Sequence, residues 1–389
     1  MSTPIYLDHA ATTPVAPEVV EAMLPWLRDG FGNPSSLHSV GRAARNAVDE
    51  ARDRVAAALG CASREVVFTA GGSEADNLAL RGVLDRWASR GRHVVVSGIE
   101  HDAVLKSAEQ LLEEGRCELT AVGCDARGCV DPEEIAAAVR DDTVLVSVML
   151  ANNEVGTVQD VARVVELVRA RNPRTFVHTD AVQALGKLSL DVRELGVDML
   201  SVSGHKVYGP KGVGALYVRQ GVTLAAQISG GGHERSRRSG TENVAGIVGF
   251  GLAASLVTVE REEEVPRLRA LSGRLTETVA TGVPDAVLTG QGAPRLASFA
   301  TFAFPGLSTE VLLTLLDSWD VCCSGGSACS SGAHMPSHVL VAMGLPPALA
   351  AGALRCTLGR ATTAAEVDRA GELIVKAVRQ LQGAVSASA

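Results

Sequence analysis

A regular alternation of helical and extended patterns along the chain is the feature that most constrains its fold. Helical periodicity over residues 41–59, 73–88 and 102–114 is interleaved with short apolar runs such as HVVVSG and TFVHTD. Such alternation requires crossover connections between strands, and these produce a mainly parallel sheet covered by helices. We therefore predict an α/β protein.

Local signals set some of the element boundaries. Gly60 is expected to end the first of these helices, and Ser73 is expected to cap the start of the second. The pattern changes after about Glu260. The charged stretch REEEVPRLRALSGRL predicts a helix that leads into a smaller α+β unit.

Composition excludes several classes of protein. The net charge of −8 argues against nucleic acid as the main ligand. The first residues lack the basic start and apolar stretch of a signal peptide, and no run of about 18 apolar residues predicts a membrane span. The eight cysteines fit neither a disulfide framework nor zinc spacing. We expect a soluble, cytoplasmic protein with reduced thiols.

Lysine is scarce, which draws attention to each one. Only five of the 36 basic residues are lysines: Lys106, Lys187, Lys206, Lys211 and Lys376. A guanidinium cannot form an imine, whereas an amine can. Lys206 follows an apolar strand and a turn of small residues, so its amine should lie at the sheet edge, where it suits a Schiff base. Lys211 has the surroundings of a solvated loop residue.

Two strand ends carry candidate ligand-binding groups. In TAGGSEADN, a strand ends at Gly71 and Gly72 and a helix follows. This arrangement suits an anion, but on this segment alone a tight strand-to-helix turn is favoured. In HTDAVQ, Asp180 lies where α/β folds bind ligands. It could keep a cofactor ring nitrogen protonated, or it could cap a helix.

Cys329 is the candidate nucleophile. It lies in the run CCSGGSACSSGAHMPSHV, whose glycine, serine and alanine residues have much backbone freedom and little packing value. This composition predicts an exposed thiol on a mobile arm, hence a nucleophile or carrier. Cys322 and Cys323 follow an apolar segment and are interpreted as small core residues.

Other candidates are weaker on local evidence. His101 could stack on a planar cofactor or satisfy a core hydrogen bond. Arg355 could bind a substrate carboxylate or pair with a structural acid, and for both residues the structural interpretation is favoured. His334 and His338 are four residues apart, but Pro336 between them argues against a helical metal pair, so no metal site is predicted.

Taken together, the motifs resemble the NifS/IscS-type cysteine desulfurases, which are fold-type I pyridoxal-phosphate enzymes. Nine segments match in order over nearly the whole chain. They are YLDHAATTP, FGNPSSLHSVG, TAGGSEADNLA, ANNEVGTVQ, HTDAVQ, SGHKVYGPKG, RSGTENV, SGGSACSSG and LRCTLGR. Each motif is modest alone, and nine in register are very specific.

The resemblance implies a fold-type I transferase with two domains. A large domain with a mainly parallel sheet between helices should span 16–260, and residues 1–15 with 261–389 should form a smaller α+β domain. The smaller domain should carry the catalytic cysteine loop at about 322–335. The resemblance also implies a homodimer. The SGSAC-type sequence is similar to the first of the two desulfurase groups, and the RxGHHC-like sequence of the second group is absent.

The resemblance assigns cofactor-binding residues for pyridoxal 5′-phosphate. Lys206 would carry the Schiff base, His101 would stack on the ring, Asp180 would pair with the ring nitrogen and Gln183 would contact the ring hydroxyl. The remaining assignments concern the phosphate and the site rim: Gly72, Ser73, Ser203, His205, Asn153, and Thr241 from the second subunit.

The implied catalytic and substrate residues complete the site. Cys329, Lys206 and His101 would be catalytic. Asn33, Asn153 and Arg355 would bind L-cysteine, with Arg355 on its α-carboxylate.

The implied reaction is the transfer of sulfur from L-cysteine to Cys329, which gives L-alanine and a persulfide. The acceptor could be an iron–sulfur scaffold protein, a tRNA-thiolation system or a DNA sulfur-modification system, and the resemblance does not distinguish them. It also leaves open whether Cys329 transiently ligates a cluster. The Cys322–Cys323 pair departs from the expected apolar residues, which suggests the hypothesis of a second thiol that accepts or resolves the persulfide.

Two alternative functions fit the motifs less well than sulfur transfer. Transamination or β-elimination would have no use for the mobile thiol arm. A non-catalytic sulfur-relay or scaffold protein would not need Lys206, Asp180 and the Gly72–Ser73 site together.

Overall fold

The computed structural model describes residues 4–326 and 336–388. Strands and helices alternate through most of this length. The strands are β1 Ile5–Tyr6, β2 Val66–Thr69, β3 His93–Ser97, β4 Glu118–Val122, β5 Thr143–Ser147, β6 Phe176–Asp180, β7 Met199–Ser203, β8 Gly214–Val218, β9 Val287–Leu288, β10 Phe299–Ala303, β11 Val321–Cys322 and β12 Ala353–Thr357. The helices are α1 Pro17–Arg28, α2 Ser39–Leu59, α3 Gly72–Trp87, α4 Asp102–Glu113, α5 Pro132–Ala138, α6 Val161–Arg171, α7 Val192–Leu195, α8 His233–Ser236, α9 Val244–Gly282, α10 Thr309–Asp317, α11 His338–Ala342, α12 Pro347–Ala350 and α13 Ala364–Ser388.

Seven strands form the main sheet, in the order β2-β8-β7-β6-β5-β3-β4. Strand β8 runs antiparallel to both of its neighbours, and the other six strands are parallel to one another. Most of the residues in these strands are buried, as expected for a sheet with helices on both faces. The alternating sequence pattern therefore predicted the α/β class and the mainly parallel sheet correctly.

A smaller unit contains the other two sheets. Strands β12, β10 and β9 form an antiparallel sheet, and β1 near the start of the chain pairs in parallel with β11 near residue 321. Apolar side chains from this unit make a second core, which includes Leu7. The beginning of the chain thus packs with its last third.

A single 39-residue helix, α9, contributes to both cores. Ile247 and Phe250 pack in the core beneath the main sheet, and Leu271 and Leu275 pack in the second core. The sequence predicted a helix in the charged stretch after Glu260, and the structure shows that this stretch is the second half of α9.

Helix α9 is long and apolar enough to meet the usual criteria for a membrane span, and it is the only such helix among the described residues. However, 56% of the most apolar 18-residue stretch of α9 is buried inside the protein. A helix that is apolar on most sides and packed against other elements has the properties of a core helix.

The ends of two helices test the boundary predictions. Gly60 follows α2 with φ of 70°, the left-handed conformation that favours glycine, so this prediction is confirmed. The prediction that Ser73 caps α3 is wrong. The helix already begins at Gly72, and Gly71 occupies the capping position without a side-chain hydrogen bond. Glycine is accepted at this position of a helix. Without a capping side chain, the backbone N–H groups of the first helical turn stay available to a bound anion.

Close packing of α2 against α9 gives a prediction about stability. A methyl group on Gly251 would lie 2.7 Å from the Cα atom of Ala51, whereas one on Gly273 in the same helix would meet nothing within 4 Å. Gly251→Ala should therefore lower the free energy of unfolding by about 1–3 kcal/mol. Gly273→Ala should raise it by about 0.5–1 kcal/mol because alanine favours helices. Urea unfolding followed by circular dichroism measures both, and equal effects of the two substitutions would contradict the packing argument.

Candidate active site

The carboxyl edge of the main sheet surrounds one cavity of about 190 Å³. The parallel strands β2, β3, β5, β6 and β7 all end at this edge, so the loops that follow them converge there. Ten of the residues assigned from the sequence line the cavity: Gly72, Ser73, His101, Asn153, Asp180, Gln183, Ser203, His205, Lys206 and Arg355.

Three assigned residues are not in this group. Asn33 is exposed, and its Oδ1 accepts a hydrogen bond from the backbone N–H of Ser35 at 2.8 Å. Thr241 is exposed and does not line the cavity. Cys329 lies outside the described residues.

One end of the cavity has the properties of an anion site. Helix α3 begins there at Gly72, and a methyl group on Gly72 would lie 2.7 Å from Cγ2 of Val182, so only glycine fits without displacement. The Ser203 hydroxyl is buried and has no hydrogen-bond partner among the described residues. A buried hydroxyl without a partner is costly, which points to an absent ligand with acceptor oxygens.

His205 lies beside this end and is uncharged at neutral pH. Burial, together with the nearby positive charges of Lys206, Lys211 and Lys187, lowers its pKa to about 4. Its Nδ1 lies 3.2 Å from the hydroxyl oxygen of Thr12. A neutral imidazole can donate one hydrogen bond to an anion without adding a charge.

Asp180 and His101 lie in the middle of the cavity wall. Asp180 ends β6, and one of its oxygens accepts a hydrogen bond from the Val182 N–H at 2.8 Å. Burial raises the Asp180 pKa, and His101 and Lys206 act in the opposite direction. A cationic group bound here would therefore be stabilised by this carboxylate. The Nδ1 of His101 accepts from the Ala103 N–H at 3.0 Å, which leaves the proton of a neutral ring on Nε2.

The amine of Lys206 is held by the beginning of the chain. It follows β7 on a short 3₁₀ turn, and its Nζ donates to the carbonyl oxygens of Ala10 and Ala11 at 2.6 and 2.8 Å. The residue is partly buried, as expected for the sheet edge. An amine positioned by two carbonyl groups is ready to react with an aldehyde placed in the cavity.

Arg355 makes the structural ion pair that the sequence left open, and it also lines the cavity. It lines the cavity, and its Nη2 also makes an ion pair with Oδ1 of Asp8 at 2.8 Å while Nη1 donates to the Asn153 carbonyl at 2.8 Å. Its Nε is buried without a partner within residues 4–326 and 336–388. A guanidinium with an unused donor can bind a carboxylate.

Both flanks of the segment that carries Cys329 lie near this cavity. Ser324 pairs with Arg355 through two backbone hydrogen bonds. On the same flank, a methyl group on Gly326 would lie 2.7 Å from the carboxylate of Glu154. On the other flank, the Ser337 hydroxyl donates to that carboxylate. The cysteine segment therefore begins and ends at the rim.

The two other cysteines before this segment differ in environment. Cys323 packs against the second core, and its Sγ lies 3.7 Å from Sγ of Cys356. That contact and burial hold the Cys323 pKa well above its usual value, which disfavours the reactive thiolate. Cys322 is partly buried like Cys323, and burial with the nearby charge of Asp317 also raises its pKa, but no second thiol among the described residues is in contact with it. The hypothesis of a second sulfur-accepting thiol stays a prediction, and these environments favour Cys322 over Cys323.

Sequence reasoning missed two buried acids that support the site. Asp76 lines the cavity from α3, with an Oδ1 that accepts no hydrogen bond from the described residues and lies 3.6 Å from Nε2 of His178. Glu100 precedes His101, and burial raises its pKa to about 8. The available signal was an acid at a position whose helical neighbours, such as Ala75 and Ala79, are apolar.

Comparison with known proteins identifies the family. The sequence pattern described as Aminotransferase class-V matches residues 5–370. The chain belongs to the aminotransferase class-V family. A cysteine desulfurase IscS of Methanosarcina thermophila is 44% identical over 378 residues, which are 97% of this chain and 93% of that protein. A cysteine desulfurase IscS of Klebsiella pneumoniae is 46% identical over 390 residues, 98% of this chain and 94% of that protein.

The likeness extends to three dimensions. A solved structure of a NifS-like protein matches with a TM-score of 0.90 at 37% identity, and the match covers 96% of this chain and 98% of that one. The fold-type I architecture expected from the sequence is therefore confirmed.

Class-V aminotransferase family members depend on pyridoxal 5′-phosphate, and the cavity fits this group. The unpartnered Ser203 hydroxyl and the start of α3 could hold its phosphate. The buried Asp180 carboxylate could pair with its ring nitrogen, and the Lys206 amine could bind its aldehyde carbon.

The raised pKa of Glu100 gives a pH-dependent prediction. The folded protein should hold a proton on Glu100 up to about pH 8, whereas the unfolded chain loses it near the ordinary glutamate pKa. Because the folded state then binds more protons, stability should fall as pH rises through this window. Glu100→Gln should make this fall shallower by about 1 kcal/mol per pH unit.

Urea unfolding between pH 5 and pH 8 measures the effect. Glu109→Gln, on an exposed position of α4, is the matched control and should keep the wild-type slope. A Glu100→Gln protein with the wild-type slope would contradict the assignment of the raised pKa.

Proposed function

We propose that this protein is a cysteine desulfurase, which takes sulfur from L-cysteine, releases L-alanine and holds the sulfur as a persulfide on Cys329. The observation that carries the proposal is the convergence of Lys206, Asp180 and Arg355 on one cavity, whose rim also carries both flanks of the Cys329 segment. The similarity to two proteins called cysteine desulfurase IscS supports the same reaction.

The residues can be given distinct roles in this reaction. When bound, pyridoxal 5′-phosphate supplies an electron sink that acidifies the α-hydrogen of the substrate. Arg355 binds the substrate carboxylate through its unused donor, and Asp180 keeps a proton on the ring nitrogen. The Lys206 amine moves protons at the substrate Cα, and His101 serves as an acid–base partner near the sulfur.

Sulfur transfer then balances without a further reactant. The thiolate of Cys329 attacks the sulfur of the substrate, a sulfur–sulfur bond forms, and the carbon–sulfur bond breaks. The electron pair of that bond stays on the substrate carbon, which gains a proton and leaves as L-alanine. The thiol should need a lowered pKa or a nearby base for this step.

A homodimer would complete the site, with Thr241 of one subunit serving the phosphate of the other. Thr241 is exposed in the single chain, and the apolar residues Phe31 and Leu37 are 83% and 90% exposed. Ser35 and Glu242 line the same surface cavity, so these segments share one face of the protein. Exposed apolar side chains grouped in this way favour a protein interface. Asn33 lies in the same segment.

The proposal includes the organisation and setting of the enzyme. Residues 16–260 would form the large domain, and residues 1–15 with 261–389 would form the small one. The separate cores around Phe250 and Leu275 support this division. We propose a cytoplasmic enzyme that passes sulfur to an acceptor such as an iron–sulfur scaffold protein, with neither a membrane nor a nucleic acid as a direct partner.

Replacing the proposed sulfur carrier tests the central claim. Cys329→Ala should keep the cofactor and its colour but should lower alanine formation from L-cysteine by about 10³-fold or more, because the attacking thiolate is gone. Cys322→Ala is the matched control and should retain persulfide formation on Cys329. Mass spectrometry after one turnover locates the added sulfur. Unchanged turnover by Cys329→Ala would refute the proposal.

Replacing the proposed cofactor lysine tests the site itself. Borohydride should link the cofactor covalently to Lys206 in the wild type, and peptide mapping should find the label there. Lys206→Ala should lose this label, whereas Lys211→Ala, which removes an exposed lysine nearby, should retain it. A label on another lysine would assign the cofactor to a different site.

A further inference from the structure

Lys187 is a second lysine beside the cavity, and the roles assigned above do not use it. It is partly buried, and its Nζ donates to Oε1 of Gln183 at 2.9 Å. Gln183 lines the cavity, so Lys187 lies directly behind the cavity wall. A lysine amine away from water is uncommon, which makes a role at this position worth identifying.

A chain of hydrogen bonds connects this amine to the proposed cofactor lysine. The Nε2 of Gln183 donates to the carbonyl oxygen of Ala10 at 2.9 Å. The same carbonyl accepts from Nζ of Lys206 at 2.6 Å. Lys206 thus binds the Ala10 carbonyl directly, whereas Lys187 is connected to it through the Gln183 amide.

This chain fixes the orientation of the Gln183 amide. If the amide rotated by half a turn, its NH₂ group would face the Lys187 amine and its oxygen would face the Ala10 carbonyl oxygen. When Lys187 is protonated, both favourable contacts would become donor–donor or acceptor–acceptor contacts, each losing a hydrogen bond of a buried group. In the observed orientation, one N–H of Gln183 binds Ala10 and the second remains for the cavity.

The surroundings of Lys187 bring its pKa close to neutral pH. Burial lowers its pKa to about 7, and the positive charges of Lys206 and Arg355 act in the same direction. A small second cavity adjoins Lys187 on its other side. Its titratable lining consists of His9, Lys206, Tyr208, Glu260, Glu264 and Arg360.

We propose that Lys187 is a positioning residue, which holds the Gln183 amide so that an N–H donor faces the cavity where the ring oxygen of the cofactor binds. This inference rests on the proposed function, since it assumes the cofactor at Lys206. A fixed N–H donor stabilises an anionic oxygen, whereas a fixed carbonyl oxygen would repel it. Lys187 therefore favours the ionised form of the ring hydroxyl without touching the cofactor.

The experiment removes the Lys187 amine that holds the Gln183 amide and measures the visible absorbance of the bound cofactor as a function of pH. Lys187→Met should raise the apparent pKa of the visible absorbance by about one unit, because the anionic oxygen loses a reliable donor. It should also weaken the affinity of the apoenzyme for pyridoxal 5′-phosphate about tenfold, measured by equilibrium dialysis. Lys211→Met is the matched control. It removes another charge that lowers the His205 pKa, but it leaves the Gln183 amide in place. Its apparent pKa and affinity should stay close to wild type.

A double-mutant cycle separates positioning from a general structural effect. Once Gln183→Met has removed the amide, adding Lys187→Met should change the apparent pKa and affinity no further. Additive effects of the two substitutions, or a Lys187→Met protein like the wild type, would overturn the inference. Melting temperatures verify that each variant folds, and Lys187→Ala, which also lacks a donor, replaces the Met variant in the cycle if that protein is unfolded.

The outcomes distinguish this inference from the proposed function. A wild-type protein that binds no pyridoxal 5′-phosphate would overturn both. A wild-type protein with the bound-cofactor absorbance, but with no change in Lys187→Met, would overturn only the role of Lys187.

Discussion

The hydrogen bonds from the Lys206 amine to the carbonyl oxygens of Ala10 and Ala11 connect the two parts of the molecule at the point where chemistry is expected. Lys206 belongs to the main sheet, whereas the first residues of the chain pack with the second core through Leu7. The amine therefore binds the segment that leads from the second core, at Leu7, to the core of the main sheet, at Ala10. The smaller unit also contributes Arg355 to the cavity lining. Arg355 lies in the antiparallel sheet of that unit and pairs with Asp8.

The cavity combines buried groups of both signs in a way that a purely structural core would avoid. Asp180 and Asp76 line the cavity, Glu100 precedes the lining residue His101, and burial raises the pKa of each acid. Lys206 and Arg355 line the same cavity. Such groups cost stability when the protein is empty of ligand, and groups with shifted pKa values collect where ligands bind and reactions occur. The fold supplies this arrangement because a large hydrophobic core surrounds it on both faces of the sheet.

The parts of this structure that could be predicted from the sequence are those with a local cause. Alternating periodicity predicted the parallel sheet. Gly60 could be predicted to end α2 because glycine favours the left-handed backbone conformation found there. Asp180 and Lys206 could be found because Asp180 ends an apolar strand and Lys206 lies three residues beyond one. The resemblance to the desulfurases added the roles of Gln183 and Arg355, which no local pattern assigns.

The parts that could not be predicted depend on contacts between distant segments. The pair between Arg355 and Asp8 spans 347 positions, and the parallel pairing of Ile5 with Val321 spans most of the chain. The sequence marks Lys187 only as one of few lysines. Its bond to Gln183 is local, but the place of Gln183 in the cavity wall depends on the distant Ala10 carbonyl. The long helix α9 was anticipated only in its charged half, because its first half has no amphipathic pattern: it is surrounded by other elements.

This helix limits how the enzyme can move. Because α9 belongs to both cores, a hinge rotation of one unit against the other would have to bend a continuous helix, and a cut in it would leave two fragments that each expose apolar surface. Access of substrate to the cavity must therefore depend on loops and side chains, and the two units cannot be expected to fold as independent pieces.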